Sequence, residues 1–291
     1  MAVCEVCFRH CSIGEGMTGF CGARTCIDGK VICGNYGRIT SLALDPIEKK
    51  PLRRFFPGSM VLSAGSYGCN LRCPFCQNHA ISWSDKALQL ADSEVQLSDR
   101  VDYLAPDVLS ELAEQCRSRG NIGIAFTYNE PLIGYEYILD TAKLVHEKGM
   151  KNVLVTNGTA SLSVLHRLLP YIDAMNIDLK GFTDRYYKEV LQGNRQMVMD
   201  FIAEAARYCH VELTTLIVPG ENDSPEEMRQ LTGWTASLEA CGASGEEIPL
   251  HISRFFPRFH MTDRQATDVS LIYRLAQIAR EKLKYVYTGN C

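Results

Sequence analysis

No long run of Lys or Arg occurs in this 291-residue chain, and its formal net charge is −4. Concentrated positive charge is what draws nucleic acid and anionic membranes, so neither is an expected partner. The short cluster of Lys49, Lys50, Arg53 and Arg54 reads as a solvated face. No stretch approaches the ~18 apolar residues of a membrane-spanning helix. The N-terminal "MAVCEVCFRHC" lacks the apolar run of a secretory signal, which makes the cytoplasm the expected compartment. Internal repeats, heptads and low-complexity tracts are also missing. With 46% hydrophobic residues, the chain has enough for one large core or a core with a small appendage.

What the sequence has in excess is cysteine, 13 in all. Disulfides pair cysteines in oxidising compartments, whereas this number is odd and no export signal is present. Metal or redox chemistry fits better. Cys4, Cys7, Cys11, Cys21, Cys26 and Cys33 crowd the N-terminus, and Cys69, Cys73 and Cys76 follow. Cys116, Cys209 and Cys241 sit in or beside predicted helices and read as small buried hydrophobes.

Residues 1–58 are rich in Gly and Cys and show little helical period. "KVICGNYGRITSLALDP" reads as short strands joined by Gly-containing turns. Residues 1–58 are therefore expected to form a small metal-stapled module ahead of a main domain at 59–291. From residue 59 apolar runs alternate with helical spacing. Strands are predicted at 60–68, 122–127, 151–156, 173–179, 211–219, 248–254 and 284–289. Helices are predicted at 107–120, 133–149, 163–172, 196–209, 224–241 and 266–283, and residues 77–104 read as a long polar loop. Ser224 followed by Pro225 and acids marks a helix start. Several strands are continuous apolar runs, as in parallel sheets buried on both faces. The expected fold class is α/β, a partial (β/α)6 barrel of the TIM type, with a doubly wound sheet as the alternative. Either one gathers functional residues at the C-terminal ends of its strands.

The sharpest local signal is "GCNLRCPFCQN" at 68–78, a C-x3-C-x2-C loop directly after the first strand of the main domain. Three thiolates can hold three irons of a [4Fe–4S] cluster and leave the fourth without a protein ligand. A cluster used only for electron transfer normally has four. An open iron is a place for a small molecule to bind. Three zinc ligands with a distant fourth are the alternative.

With this loop so placed, the sequence resembles the radical S-adenosylmethionine (SAM) superfamily. The resemblance implies that Cys69, Cys73 and Cys76 ligate a [4Fe–4S] cluster. It implies that SAM chelates the open iron and is cleaved reductively to a 5′-deoxyadenosyl radical that abstracts hydrogen. Phe75 occupies the aromatic position expected near the SAM adenine. "TYNEP" (127–131) stands where the superfamily often has a Gly-Gly-Glu-Pro-like segment, which puts Glu130 near the SAM amino group and Asn129 in place of a glycine. A polar turn opened by Pro131 is the rival reading, stronger for Asn129 than for Glu130. "TNG" (Thr156, Asn157, Gly158) and "DLK" (Asp178, Leu179, Lys180) resemble glycyl-radical-enzyme activases such as pyruvate formate-lyase activase, where this region helps hold SAM and a nearby cation. Val155 departs from the Asp often found there, and Asp178 with Lys180 can equally form a structural ion pair. "VPGEND" (218–223) also resembles the activases, with Asp223 a weaker candidate against an ordinary turn. His251 and Arg254, at the end of the sixth strand, are expected to face the barrel mouth, or to be structural. No residue is singled out as catalytic.

A closer resemblance spans nearly the whole chain. "CEVCFRHCSIGEGMTGFCGAR", "YGRITSLALDPIEKKPLRRFFPGS" and the terminal "YVYTGN" are similar to the radical SAM member of the AmmeMemoRadiSam system. That implies Memo-like and AMMECR1-like partner proteins. Members often continue past this point with another Cys-containing segment, whereas this sequence stops at Cys291. A flavodoxin or ferredoxin is the expected electron donor. The substrate stays open: a glycyl residue of a protein, or a small molecule, peptide or RNA. A non-catalytic iron–sulfur scaffold is the reading outside the enzyme class. Cys4, Cys7, Cys11 and Cys21 form C-x2-C-x3-C-x9-C, which suits structural zinc or a second iron–sulfur cluster. Cys26 or Cys33 can substitute for one of the four.

Overall fold

The computed structural model describes residues 1–83 and 102–291. Eight strands form its main sheet. They are β1 (Ser41–Pro46), β2 (Met60–Gly65), β3 (Asn121–Phe126), β4 (Lys151–Thr156), β5 (Ala174–Asp178), β6 (His210–Ile217), β7 (Leu250–Arg254) and β8 (Val286–Gly289). Their spatial order is their sequence order, β8 to β1. Strands β2 to β8 are parallel, and β1 pairs antiparallel with β2. A doubly wound sheet reverses its strand order in the middle. This unbroken progression is that of a partial barrel, as expected, with one parallel strand more than six and an antiparallel edge.

Burial explains the apolar runs. Every residue of β2 after Met60 is buried, as are most of β4 and β5. Helices α1 (Pro106–Gln115), α2 (Tyr135–Glu147), α3 (Leu162–Leu168), α4 (Arg195–Ala206), α5 (Pro225–Ala236) and α6 (Val269–Ala279) fill the connections. In α2, Ile138, Ala142 and Val145 form the buried stripe. Caps set the starts: Asn194 accepts from the Met197 N–H, and Ser224 from the Glu227 N–H ahead of α5. Among the described residues no helix is long and apolar enough to cross a membrane.

The two ends of the barrel differ. Ile47, Leu52 and Phe55 pack against Val61, Ala125, Val153 and Ala174 in the barrel interior. The backbone N–H groups of Arg53 and Arg54 donate to the buried Glu212 carboxylate at 2.9 and 2.7 Å. Asn176 donates to the Pro51 carbonyl at 2.9 Å. Residues 47–55 therefore close the N-terminal floor, and the opposite mouth stays open. Within the first 58 residues, 41–58 pack as part of the barrel. Residues 1–40 carry two short ribbons, Ala2–Val3 with Ser12–Ile13 and Arg24–Ile27 with Lys30–Cys33.

Three expectations need correction. His251 does not face the mouth: it bonds Glu212 at 2.6 Å inside the barrel, because a buried carboxylate needs partners. Arg254 turns to the Thr267 carbonyl at 2.7 Å and fixes the approach to α6. Cys241 is exposed in a turn after α5, while Cys209 is buried as expected. All 13 cysteines are free thiols. Of the loop predicted at 77–104, the helical turn His79–Ser82 and the strand Asp102–Tyr103 are seen, and residues 84–101 lie outside the described residues.

Candidate active site

The C-terminal ends of the strands surround a cleft of about 280 Å³. Cys69, Cys73, Phe75 and Cys76 enter it from the loop after β2. Asn129 and Glu130 come from the end of β3, Thr156 and Asn157 from β4, and Asp178 and Lys180 from β5. Every residue singled out for the cluster loop and the SAM site thus lines one cavity. Asp223 does not line it; its carboxylate accepts from the Gly220 N–H and closes its own turn.

Why the cysteine loop takes this path is local. Gly68 has φ of +89°, and a Cβ there would lie 2.5 Å from the Cys21 carbonyl oxygen. Only glycine tolerates both. The Cys69 N–H donates to that same carbonyl at 3.1 Å. Arg72 then braces the loop, donating to the carbonyls of Cys69 and Leu71, both at 2.8 Å. The Cys69 sulfur is approached by the Leu71 N–H at 3.4 Å and by Asn157 Nδ2 at 3.7 Å. Donors so placed favour charge on the sulfur. Phe75 is buried and meets Phe255 edge to face, with ring centres 6.2 Å apart.

The facing wall is a hydrogen-bond lattice. Glu130 Oε1 accepts from Thr156 Oγ1 at 2.6 Å and from the Leu132 N–H at 3.0 Å. Glu130 Oε2 accepts from the Asn157 N–H at 2.8 Å. The carboxylate straps β3 to β4 with three of its roughly four acceptor positions used. Asn129 Oδ1 accepts from the Ser66 N–H at 3.0 Å, and its Nδ2 reaches the Tyr67 and Gly68 carbonyls, both at 3.1 Å. Asn129 thereby ties β3 to the start of the cysteine loop. Lys180 Nζ bonds Asp178 Oδ2 at 2.7 Å, so the ion pair foreseen between them is present. Val155 lines the cleft beside it.

Sequence reasoning missed two residues. Tyr128 lines the cleft with φ of +74°, a strained position for a non-glycine, and donates to Asp45 Oδ2 at 2.8 Å. Its partner lies on β1, 83 residues away, and no local pattern announces it. Asn70 sits inside the cysteine motif, yet its bonds go to Thr159 and Asn157.

Burial dominates the electrostatics. It drives the Cys69 thiol well above its ordinary 9.0 and lifts Cys73 to about 12, with Lys180 opposing in the latter case. Cys76 is raised for the same reason. Burial also lifts the Glu130 carboxyl to about 7, against the pull of its three donors. The Lys180 ammonium loses by burial but gains more from Asp178 and Cys73, and stands well above 10.5. Metal binding by these thiols releases their protons. Among the described residues no three His, Cys, Asp or Glu are grouped to hold one metal ion. A four-iron cluster asks for something else, each cysteine on its own iron. Three thiols on one loop at one cleft, with N–H donors at a sulfur, fit that demand.

A second gathering of thiols lies behind the loop. Cys4, Cys7, Cys11 and Cys21 line one cavity, together with Arg9 and Arg24. Cys26 and Cys33 do not. The Cys26 thiol is 3.7 Å from Glu15 Oε2, and the Cys33 thiol 3.2 Å from Asn35 Oδ1.

Comparison with known proteins agrees with this geometry. The family model of the radical SAM superfamily matches residues 64–232. The chain is 38% identical over 289 residues to the uncharacterized protein MJ0808 of Methanocaldococcus jannaschii, covering 99% of this chain and 80% of that protein. It is 25% identical over 167 residues to the pyruvate formate-lyase-activating enzyme of Clostridium pasteurianum, covering 56% of this chain and 64% of that enzyme. In fold it resembles SuiB of Streptococcus suis, solved bound to S-adenosylmethionine, with a TM-score of 0.57 at 14% identity over 77% of this chain and 48% of SuiB. The chain belongs to the radical SAM superfamily.

Proposed function

We propose that this protein is an enzyme that cleaves SAM reductively at a [4Fe–4S] cluster held by Cys69, Cys73 and Cys76, and that it abstracts hydrogen from a glycyl residue of a protein partner. Membership of the superfamily implies the cluster and SAM. When bound, they supply one electron to the sulfonium and a 5′-deoxyadenosyl radical that takes hydrogen. The observation that carries the reading is the meeting, in one cleft, of a three-cysteine loop with the Glu130–Thr156–Asn157 lattice.

The chain's own residues hold and shield. Phe75 offers an apolar face for an adenine. Asn129, Glu130, Thr156 and Asn157 form a polar wall suited to the amino and carboxylate groups of SAM. Asp178 and Lys180 present a neutral pair beside the thiols, where the bound cluster adds charge. The floor formed by residues 47–55 excludes water from the opposite end, which protects a radical. Of the expected 1–58 module, residues 1–40 act as the N-terminal metal-binding part on a barrel that takes in residues 41–58, with Cys4, Cys7, Cys11 and Cys21 binding zinc or a second cluster. A flavodoxin or ferredoxin serves as reductant, Memo-like and AMMECR1-like proteins as partners, and the cytoplasm as the setting. The resemblance to activases supports the glycyl target, and the relative from Clostridium pasteurianum supports it further.

The test is formation of 5′-deoxyadenosine after anaerobic reduction with SAM, with Cys69→Ala, Cys73→Ala and Cys76→Ala together as control. Cleavage in the wild type and its loss in the control support the enzyme reading. No cleavage by a fully loaded cluster overturns it in favour of a scaffold. A glycyl-radical signal on a candidate partner supports the activase reading. Cleavage accompanied by a modified small molecule, peptide or RNA replaces it.

A further inference from the structure

Behind the cysteine loop two guanidinium groups share one aromatic ring. The guanidinium carbon of Arg9 lies 3.3 Å from the centre of the Phe20 ring, and that of Arg72 lies 4.0 Å from it. Both arginines are half-buried. Among the described residues no carboxylate pairs with either of them. Burial and the Arg72 charge both lower the pKa of Arg9. Two like charges held on one ring, partly out of water, are unfavourable unless something negative faces them.

What faces them is the cysteine loop. Three consecutive carbonyls of that loop accept from the two arginines. Arg72 Nη1 donates to the carbonyls of Cys69 and Leu71, both at 2.8 Å, and Arg9 Nε donates to that of Asn70 at 2.7 Å. Arg9 Nη2 also donates to the Gln192 carbonyl at 2.6 Å, which fixes the plane of the guanidinium. The Asn70–Leu71 peptide joins Arg9 to a sulfur. Its carbonyl takes the Arg9 bond, and its N–H, that of Leu71, lies 3.4 Å from the Cys69 sulfur. In a trans peptide these two groups point in opposite directions. A donor on the carbonyl polarises the peptide and strengthens its N–H as a donor. Arg9 thus reaches the Cys69 sulfur through a single peptide unit. Once ionised, the thiols of Cys69, Cys21 and Cys73 are the opposite charges that act on Arg72, and those of Cys7, Cys11 and Cys69 act on Arg9.

Hydrogen bonds to the sulfurs and net charge set the reduction potential of an iron–sulfur cluster. A cluster on Cys69, Cys73 and Cys76 becomes more negative when it takes an electron. We propose, resting on the functional reading above, that Arg9 is a positioning residue that raises the potential of this cluster. It aims the Leu71 N–H at the Cys69 sulfur and, with Arg72, supplies positive charge that favours the reduced state. The N-terminal residues then bear on the arrival of the electron whichever metal their own cysteines take.

The full chain is reconstituted anaerobically, its iron is counted, and the electron paramagnetic resonance signal that SAM reshapes is titrated with dithionite in samples without SAM. Arg9→Gln removes the charge, and Arg9→Lys restores it. Gln192→Glu is an isosteric change at an exposed residue, and it sets an anion at the residue whose carbonyl Arg9 holds. At the wild-type midpoint, the ratio of reduced to oxidised cluster in Arg9→Gln is expected to fall about threefold to tenfold. That is a shift of about 30–60 mV to lower potential, at about 59 mV per decade. Arg9→Lys should recover about half of the shift. Gln192→Glu should move the potential in the same direction as Arg9→Gln, and further at low salt than at high. An Arg9→Gln cluster that is fully loaded and titrates at the wild-type potential overturns the proposal, as does a fall that Arg9→Lys leaves undiminished. If Arg9→Gln does not keep its iron, Gln192→Glu decides, and an unmoved potential there overturns the proposal. Failure of the functional reading shows differently: the wild type then has no signal that responds to SAM, which removes both.

Discussion

At the scale of single residues, the site depends on positions with no alternative. Gly68 is one: its φ of +89° and the 2.5 Å approach to the Cys21 carbonyl leave no room for a side chain. Gly68→Ala is expected to cost about 1–3 kcal/mol in urea unfolding. The same variant should lower iron content, because the Cys69 N–H loses its fixed partner. Glu130 is another. In Glu130→Gln either orientation of the amide turns its NH2 toward a backbone N–H, of Leu132 or of Asn157. The expected loss is about 1–3 kcal/mol of stability, with SAM cleavage falling at least tenfold per folded molecule. Equal stability in wild type and variant would show that the strap does not bear on the fold. Cys69, Cys73 and Cys76 were legible in the sequence because three ligands at fixed short spacing are a local property. Glu130 was legible only as a position beside a proline. Its three donors come partly from residues 26 and 27 places further on, and no window of sequence contains that.

Among the elements, the strands and helices of the barrel were readable because apolar runs and helical stripes are periodic. The edge strand β1 and the plug after it were not assigned to the barrel. An antiparallel strand beside a Gly-rich segment carries no sign of which sheet it joins. The plug is held by polar contacts in the barrel interior: the Arg53 and Arg54 N–H groups donate to Glu212, which His210 and His251 also bond. Burial tends to raise the Glu212 carboxyl, but these histidines and the Arg53 and Arg54 N–H groups outweigh it and hold it down to about 2 from an ordinary 4.5. A carboxyl depressed in the folded state stabilises fully above its unfolded value. That contribution is lost as pH falls from 4.5 toward 2. Urea midpoints measured across this range should reveal a loss on the order of 3 kcal/mol, absent in Glu212→Gln. An acid limb of the same depth in the variant would assign the loss to other carboxylates.

For the molecule as a whole, the N-terminal residues and the barrel meet at the cysteine loop rather than at a distance from it. Arg72 makes this junction. Its guanidinium donates to the Phe20 carbonyl at 2.5 Å, lies 4.0 Å from the centre of the Phe20 ring, and braces Cys69 and Leu71 from behind. Arg72→Ala should cost about 1–3 kcal/mol, the range for losing hydrogen bonds from a charged donor to backbone carbonyls. It should also speed tryptic cleavage within residues 1–40 while the barrel core stays protected. Unchanged cleavage would mean that the ribbons are held elsewhere. The central claim, a cluster with one iron open to SAM in this cleft, is tested most directly by electron paramagnetic resonance of the reduced Cys4→Ser, Cys21→Ser variant, with and without SAM. The account predicts a [4Fe–4S] signal whose shape shifts when SAM is added. A fully loaded cluster whose signal SAM leaves unchanged would contradict it.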